Sequence, residues 1–503
     1  MRKQNMLKPE KDNPFNEIRG SDFLKLPLPF IMVLFTFLVV GAFIVKMGPV
    51  SGAVIVALII VGVYLYYQFM YPKLGLFALL IFNYFILGVG RYVSNFPIPL
   101  GMFVDLSLVI VLLSLFFKAF FKDVGWQKAK GDLFVLCIIW FGWVLFQLVN
   151  PFAIARMAWF YSMRNIGLYL ILTVPLFLIL FDKHKDLHTY FKLWAIFTII
   201  GAVKGIIQKF VGLDPFEDAW VHGPDSVTHI LHGKIRYFSF FTDAGQYGAS
   251  MGHSGVVFAI LALGQEKSKK LKYFYAITAV LALYGMMISG TRGAMFVPVG
   301  GLVLFVIVKR NIKMMILGGL VGLSVLIFFK YTFIGQSNYT IARMRTAFNP
   351  SQDASMQVRL ANQRYLKKVM RSYPIGGGIG ATGPIAEKVA HSHPISKTPP
   401  DSWFVLVWME HGIIGLALHL FILFYVVIKS SYVIMFKLKD PWLKSQMSAL
   451  VSGMFGIMVA SYGNAVLGQM PTVILIYSTM AFLFLGPVYD REIAEKENRR
   501  VTH

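Results

Sequence analysis

Three arginines in this sequence stand where polar segments meet long apolar runs. Arg236 opens the stretch RYFSFFTD, Arg292 lies in SGTRG, and Arg359 lies in a basic stretch further along the chain. A guanidinium group stays charged and binds two oxygens of a phosphate at once, so these positions suit a phosphate-bearing ligand. Arg236 precedes a predicted helix start, which also favours anions, although an interfacial ion pair with Asp243 is the alternative. Arg292 falls in a first helical turn, where the helix dipole disfavours a cation, and this favours a functional role.

The basic stretch around Arg359 is predicted to form a helix over about 355–371. Its other cations are Arg364, Lys367, Lys368 and Arg371. Such a helix lies on anionic lipid headgroups, binds a lipid-linked diphosphate or carries a solvated charged face. The glycine-rich stretch 373–383 that follows predicts a tight turn or a close backbone approach. It is not a nucleotide-binding P-loop, because no Gly-Lys-Ser/Thr follows.

Ionisable residues surround the start of a later apolar run. Asp401 stands at the predicted helix start, where a plain helix cap needs no further role. His391 and His393 lie in the preceding loop. Glu410 and His411 fall about 12–15 Å further along the same helix, at a depth where ionisable residues are functional by default and internal pairing is the alternative.

The histidines of the predicted outer loops give little support for a metal site. His229 and His232 are three residues apart, a spacing that suits a metal ligand pair. No acidic residue stands at a matching spacing beside them. We therefore expect neither a metal nor another cofactor.

The elements that position these residues follow from the composition. Of 503 residues, 57% are hydrophobic and 14% charged, whereas a soluble domain carries about 25% charged residues. These values exclude a soluble enzyme, a disordered chain, a collagen and a disulfide scaffold, and they predict an all-α polytopic membrane protein with about 12–14 transmembrane helices. The candidate spans are 27–45, 49–70, 73–90, 98–117, 133–149, 165–181, 188–210, 244–264, 271–289, 293–308, 314–330, 402–428, 446–463 and 470–487.

The orientation follows from the alternation of basic connections. With the N-terminus inside, both termini are predicted to be cytoplasmic, and two long loops are predicted to be extracytoplasmic. The predicted segments are 1–26 (cytoplasmic), 27–210 (transmembrane), 211–243 (extracytoplasmic loop), 244–330 (transmembrane), 331–401 (large extracytoplasmic loop with a helical part), 402–487 (transmembrane) and 488–503 (cytoplasmic tail).

The net charge of +24 divides unevenly between the two predicted sides. The cytoplasmic side carries 29 Lys and Arg, of which 6 are Arg, and the outer side carries 19, of which 10 are Arg. Topology accounts for the lysine-rich inner charge. The arginine-rich outer charge favours a phosphate-bearing ligand, with ion pairs to the ten outer acids or headgroup contacts as the alternative. The outer arginines are Arg91, Arg156, Arg164, Arg236, Arg292, Arg343, Arg345, Arg359, Arg364 and Arg371.

In order and spacing, these segments resemble the bacterial O-antigen ligase and O-antigen polymerase superfamily. The resemblance covers roughly residues 236–487. It is carried by Ser289 to Gly293, by Arg359 with Pro374 and the glycines that follow, and by the Glu-x-Gly-x-x-Gly pattern that begins at Glu410. The chain departs from the family at Asp401-Ser402, where the family has His-Asn, and this departure favours a divergent polymerase or ligase subgroup.

The resemblance implies metal-independent glycosyl transfer at the outer face of the bacterial cytoplasmic membrane. The donor would be a glycan on undecaprenyl diphosphate, and the acceptor a second lipid-linked repeat unit or lipid A-core. Arg236, Arg292 and Arg359, with Arg364, would hold the diphosphate. Asp401 would take the acceptor proton, because a carboxylate can also serve as a general base, and His391 or His393 would be the alternative base. A flippase and a chain-length regulator would be partners, and nucleic acid would not.

Two other functions remain open from the sequence. One is transport of a small anion such as bicarbonate, which predicts charged groups near the midplane and broken helices in related halves. The other is a non-catalytic role in a polysaccharide assembly machine. The sequence does not separate a polymerase from a ligase, because the two share donor and architecture.

Overall fold

The apolar runs of the sequence form long α-helices. The computed structural model describes residues 49–92, 100–223, 229–231, 233–264, 268–348, 354–383, 386 and 393–501. The first half contains α1 (Pro49–Met70), α2 (Pro72–Val89), α3 (Met102–Ala119), α4 (Asp132–Phe146), α5 (Arg156–Met163), α6 (Tyr169–Leu180), α7 (His184–Phe210) and α8 (Pro215–Val221). The second half contains α9 (Ala244–Leu263), α10 (Lys269–Ile288), α11 (Phe296–Lys309), α12 (Ile312–Tyr331), α13 (Tyr339–Arg345), α14 (Ala354–Val369), α15 (Pro394–Lys397), α16 (Trp403–Phe436), α17 (Pro441–Ala460) and α18 (Thr472–Val501).

The helical architecture confirms the predicted all-α membrane class. Among the described residues, ten helical segments are long and apolar enough to cross a bilayer. Strand structure in the described part of the chain is confined to one short hairpin, in which Ile230–Leu231 pairs with Lys234–Ile235. The predicted span 27–45 lies outside the described residues. Helix α1 forms one unit, and the chain from Tyr71 onward forms a second.

Helix α9 forms the centre of the second unit. It packs against α7, α10, α11 and α17. Its buried face carries several polar side chains, and some of them bond to neighbouring helices. Ser254 Oγ accepts hydrogen bonds from Trp194 Nε1 and Thr198 Oγ1, both at 3.0 Å. Gln246 Nε2 donates to Thr472 Oγ1 at the start of α18, at 2.7 Å. The Gln246 bond fixes the start of α9 against α18, and the Ser254 bonds fix its middle against α7.

Helix α16 is interrupted at Gly412. The backbone there has φ 70° and ψ −171°, a conformation that is essentially restricted to glycine. The glycine loop, residues 373–383, fills the break. Gly377 N donates to Met409 O at 2.9 Å, and Ile413 N donates to Pro374 O at 3.1 Å. The loop thus replaces hydrogen bonds that the helix loses.

Candidate functional site

The Ser289–Gly293 segment, here called the junction, connects α10 to the 3₁₀ turn that leads into α11. Its Thr291 hydroxyl accepts a hydrogen bond from Arg236 Nη2 at 2.6 Å and donates to Ala244 O at 2.8 Å. Thr291 therefore ties Arg236 to the first residue of α9. The Asp243 carboxylate caps the same helix by accepting from Gln246 N at 2.9 Å. The first two predicted arginine segments meet at this point.

A third arginine, Arg343 of α13, reaches the junction from the long loop. Its Nε donates to Gly290 O at 2.6 Å. Arg292 Nη1 in turn donates to Thr346 Oγ1 at 2.9 Å, in the turn that follows α13. Arg343 is not among the residues predicted to form the site. The two bonds hold α13 and its following turn on the junction.

The α17–α18 loop, residues 461–471, connects the remaining predicted segments. Ser461 O accepts hydrogen bonds from Ser402 Oγ and Trp403 N, both at 3.0 Å. A Cβ added at Gly463 would lie 3.8 Å from Arg359 Nη1. Successive residues of this loop therefore contact the start of α16, beside Asp401, and the Arg359 guanidinium.

The next residue of the loop, Asn464, contacts the junction. A Cβ added at Gly293 would overlap the Asn464 amide nitrogen, so this glycine is what allows the amide to approach. Three segments that are far apart in sequence therefore converge: the junction, helix α14 at Arg359 and the start of α16 at Asp401. We define the arginine site as Arg236, Arg292, Arg343, Arg359 and Asn464. Four arginines on these linked segments provide positive charge suited to an oxyanion.

Arg364, also predicted to bind the ligand, is not brought to this site. It lies five residues after Arg359, which on a helix of 3.6 residues per turn is a rotation of about 140°. Its side chain is exposed, as are those of Lys368 and Arg371 one and two turns further on. Leu366 and Met370 are buried against the glycine loop and α16. Arg364 therefore belongs to a separate, exposed basic face of α14.

The candidate bases differ in how their side chains are engaged. Asp401 is half-buried, and Ser402 rather than Asp401 occupies the cap position of α16. His393 Nδ1 accepts from Ile395 N at 3.2 Å, and its Nε2 lies 2.9 Å from the Tyr373 hydroxyl. Burial lowers the pKa of His393, so the ring is neutral at pH 7 with both nitrogens engaged. His391 lies outside the described residues.

Glu410 and His411 are buried about two turns after the start of α16. Glu410 Oε1 accepts hydrogen bonds from Gly380 N at 3.0 Å and from Thr382 Oγ1 at 3.2 Å. His411 is fully buried, and its ring packs 5.1 Å from that of Trp140. Glu410 is thus an anchor for the glycine loop. Gln147 Nε2 supports the same loop by donating to Ile375 O at 3.0 Å.

A pair of Glu410 variants separates this anchoring role from a role in proton transfer. Glu410→Gln keeps a carbonyl oxygen for Gly380 N and should retain the fold and at least half of the transfer activity. Glu410→Ala leaves buried donors unpaired and should lower the free energy of unfolding by about 1–3 kcal/mol. Thermal unfolding in detergent and transfer assays of both variants check this. A hundredfold loss of activity in a stably folded Glu410→Gln would show that the carboxylate takes part in the reaction.

Other outer arginines have structural partners. Arg91 stacks on Trp220 and Phe238, with its guanidinium carbon 4.3 and 4.4 Å from the ring centroids. Burial lowers the pKa of Arg91 to about 10. Arg164 forms an ion pair with Asp105 at 3.0 Å. The contacts of Arg91 and Arg164 therefore agree with the alternative in which outer arginines form ion pairs or pack within the protein.

The predicted histidine pair is placed only in part. His229 is buried, with its ring 4.4 Å from that of Trp220 and 5.2 Å from that of Phe238. Burial lowers its pKa to about 4. His232 lies outside the described residues. Within the described part of the chain, no group of three or more His, Cys, Asp or Glu side chains is arranged to hold a metal ion.

The fold and this site define a multi-pass α-helical membrane protein with an arginine-rich site at one end of its bundle. Residues 277–420 match a family model described as O-antigen ligase. The match confirms the resemblance noted from the sequence and supports a membrane enzyme of the general O-antigen ligase and polymerase type. Its range contains Arg292, Arg343, Arg359, Asp401 and the glycine loop. No curated protein matches the chain.

Proposed function

We propose that this protein transfers a glycan from undecaprenyl diphosphate to a second glycan acceptor at the outer face of the bacterial cytoplasmic membrane. The observation that carries the proposal is that Arg236 and Arg343 bond to the junction, which contains Arg292, and that the α17–α18 loop links this junction to Arg359. A diphosphate leaving group carries charge on several oxygens, and guanidinium groups match that geometry. The O-antigen ligase match, which covers Arg292, Arg343 and Arg359, supports this choice of ligand.

In the proposed reaction, the acceptor hydroxyl oxygen bonds to the anomeric carbon of the donor sugar. The bond from that carbon to the diphosphate oxygen breaks, and the electron pair leaves with the diphosphate. Arg236, Arg292 and Arg359 stabilise the charge that develops there. The Asp401 carboxylate takes the hydroxyl proton. Positive charge comes from the arginines in this scheme, so no step requires a metal.

The α17–α18 loop supports this division of roles. Ser461 is bonded to Ser402 and Trp403, immediately after Asp401, and Gly463 lies beside the Arg359 guanidinium. The proposed base and the proposed diphosphate ligands are therefore held by one short stretch of backbone. Such a link keeps the acceptor and the leaving group in a fixed relation, which in-line displacement requires.

The proposed setting completes the scheme. The acceptor is a second lipid-linked repeat unit or lipid A-core, and both termini lie in the cytoplasm. A flippase supplies the donor to the outer face, and a chain-length regulator is a partner if the product is a polymer. The outer positive charge then serves a lipid diphosphate and not a nucleic acid.

The broken helix α16 bears on the alternative of anion transport. In transporters, unwound backbone groups at midplane bind the substrate or a coupling ion. Here Gly377 N and Gly378 N donate to Met409 O and Glu410 O, at 2.9 and 3.1 Å. These freed groups are used within the protein, so the break does not favour transport over glycosyl transfer.

Reconstitution tests the proposed function. Purified protein in liposomes would receive an undecaprenyl-diphosphate glycan, alone, with lipid A-core or in excess as its own acceptor. We expect chain growth or transfer by the wild type and at least a hundredfold lower rate for Asp401→Asn, which keeps the shape but not the base. The proposal is wrong if the glycan stays on its lipid with every acceptor while the protein remains folded.

A further inference from the structure

Asn464 of the α17–α18 loop has an unused hydrogen-bond donor. Its amide nitrogen Nδ2 is buried and has no hydrogen-bond partner among the described residues. A buried donor left unpaired costs about 1–3 kcal/mol, so such a group in a native protein calls for an explanation. The family match ends at residue 420, well before Asn464. A ligand that accepts a hydrogen bond from this amide would explain why the unpaired donor is retained.

The neighbouring guanidinium has a similar unused donor. Arg359 Nε is also buried, and within the described part of the chain it has no partner. Its Nη1 would lie 3.8 Å from a Cβ on Gly463, the residue before Asn464. Two unpaired N–H donors thus occur on contacting segments. Donors without a protein acceptor between them are complementary to an oxyanion.

The surrounding backbone holds Asn464 in this position. A Cβ at Gly293 would overlap Asn464 Nδ2, so a glycine directly after Arg292 is needed for the amide to fit. Further along the loop, Gly468 packs so closely on the Trp403 ring that no side chain fits there. The loop is therefore fixed against both the junction and the start of α16.

We propose that Asn464 is a substrate-binding residue, whose amide donates a hydrogen bond to the same diphosphate group that Arg359 binds. This inference rests on the proposed function and adds a ligand from outside the matched region. Because Asn464 carries no charge, it contributes to the position of the diphosphate more than to its total binding energy.

Substitution of Asn464 tests the inference. Asn464→Ala should lower kcat/KM for transfer from the lipid diphosphate by about 10- to 100-fold, the value of one hydrogen bond to a charged group. Asn464→Asp should be worse, because it replaces the donor with a negative charge beside a diphosphate. Tyr462→Phe, at a 59% exposed position of the same loop, is the matched control and should behave as wild type.

A stability measurement distinguishes binding from a structural role. Because the amide nitrogen has no protein partner to lose, Asn464→Ala should leave the midpoint of thermal unfolding unchanged or raise it. Undecaprenyl diphosphate alone should raise the midpoint of the wild type and fail to raise that of Asn464→Asp. A wild type that is active, with Asn464→Ala equally active, would overturn the inference and leave the proposed function intact. A folded wild type that neither reacts with nor is stabilised by the lipid diphosphate would overturn both.

Discussion

Replacement of Gly412 by alanine is expected to prevent the protein from reaching its folded state. The residue has φ 70° and ψ −171°, where a side chain is strained whatever the space around it. A Cβ there would also overlap the carbonyl oxygen of Pro374, whose position is set by the hydrogen bond from Ile413 N. Strain and overlap act together, so the loss in the free energy of unfolding should exceed about 4 kcal/mol.

The Gly412 prediction is measured by the yield of monodisperse protein in detergent and by its thermal unfolding. Gly142→Ala is the matched control, because Gly142 lies within α4 and a Cβ there meets nothing within 4 Å. That variant should be as stable as wild type or more stable by about 0.5–1 kcal/mol, since alanine favours a helix over glycine. A Gly412→Ala protein with a wild-type midpoint would show that the glycine loop is not seated in the break.

The length and position of the apolar runs predicted the helices well. The features that were not predicted depend on contacts between residues far apart in the sequence. The segment around Arg359 was predicted as a helix over 355–371, and α14 with its terminal turn covers Ala354 to Ser372. The break in α16 was not predicted, because a single glycine in an apolar run is common in membrane helices. The break depends on hydrogen bonds from the glycine loop, which is distant in the sequence, to Met409 and Glu410.

The sequence predicted most of the arginines of the arginine site, but it did not predict which segments of the chain bring them together. The chemistry and positions of Arg236, Arg292 and Arg359 predict them as ligands. Arg364 was predicted with them, although the helical period separates it from Arg359 by about 140°. Asn464 carried no signal, because its role depends on a contact with Gly293 that is 171 residues away in the chain.

Arg359→Lys is expected to lower the rate of glycan transfer by about 10²–10³-fold, the usual cost of losing one electrostatic donor to a developing oxyanion. Lysine keeps the charge but loses the planar fork and the Nε donor, which is buried without a partner in the described structure. The effect should therefore fall on kcat more than on the binding of intact donor, because the charge on the diphosphate grows as the glycosidic bond breaks.

The matched control for Arg359 lies on the same helix. Arg364→Lys makes the same chemical change at an exposed position and should leave the rate within about twofold of wild type, since exposed substitutions away from a site have little effect. Both variants would be compared in reconstituted transfer assays and by polymer length and amount in cells. Near-normal polymer from Arg359→Lys cells would remove this residue from the proposed leaving-group site. Equal losses in both variants would instead show that the ligand extends along the basic face of α14, as the sequence alone first indicated for Arg364.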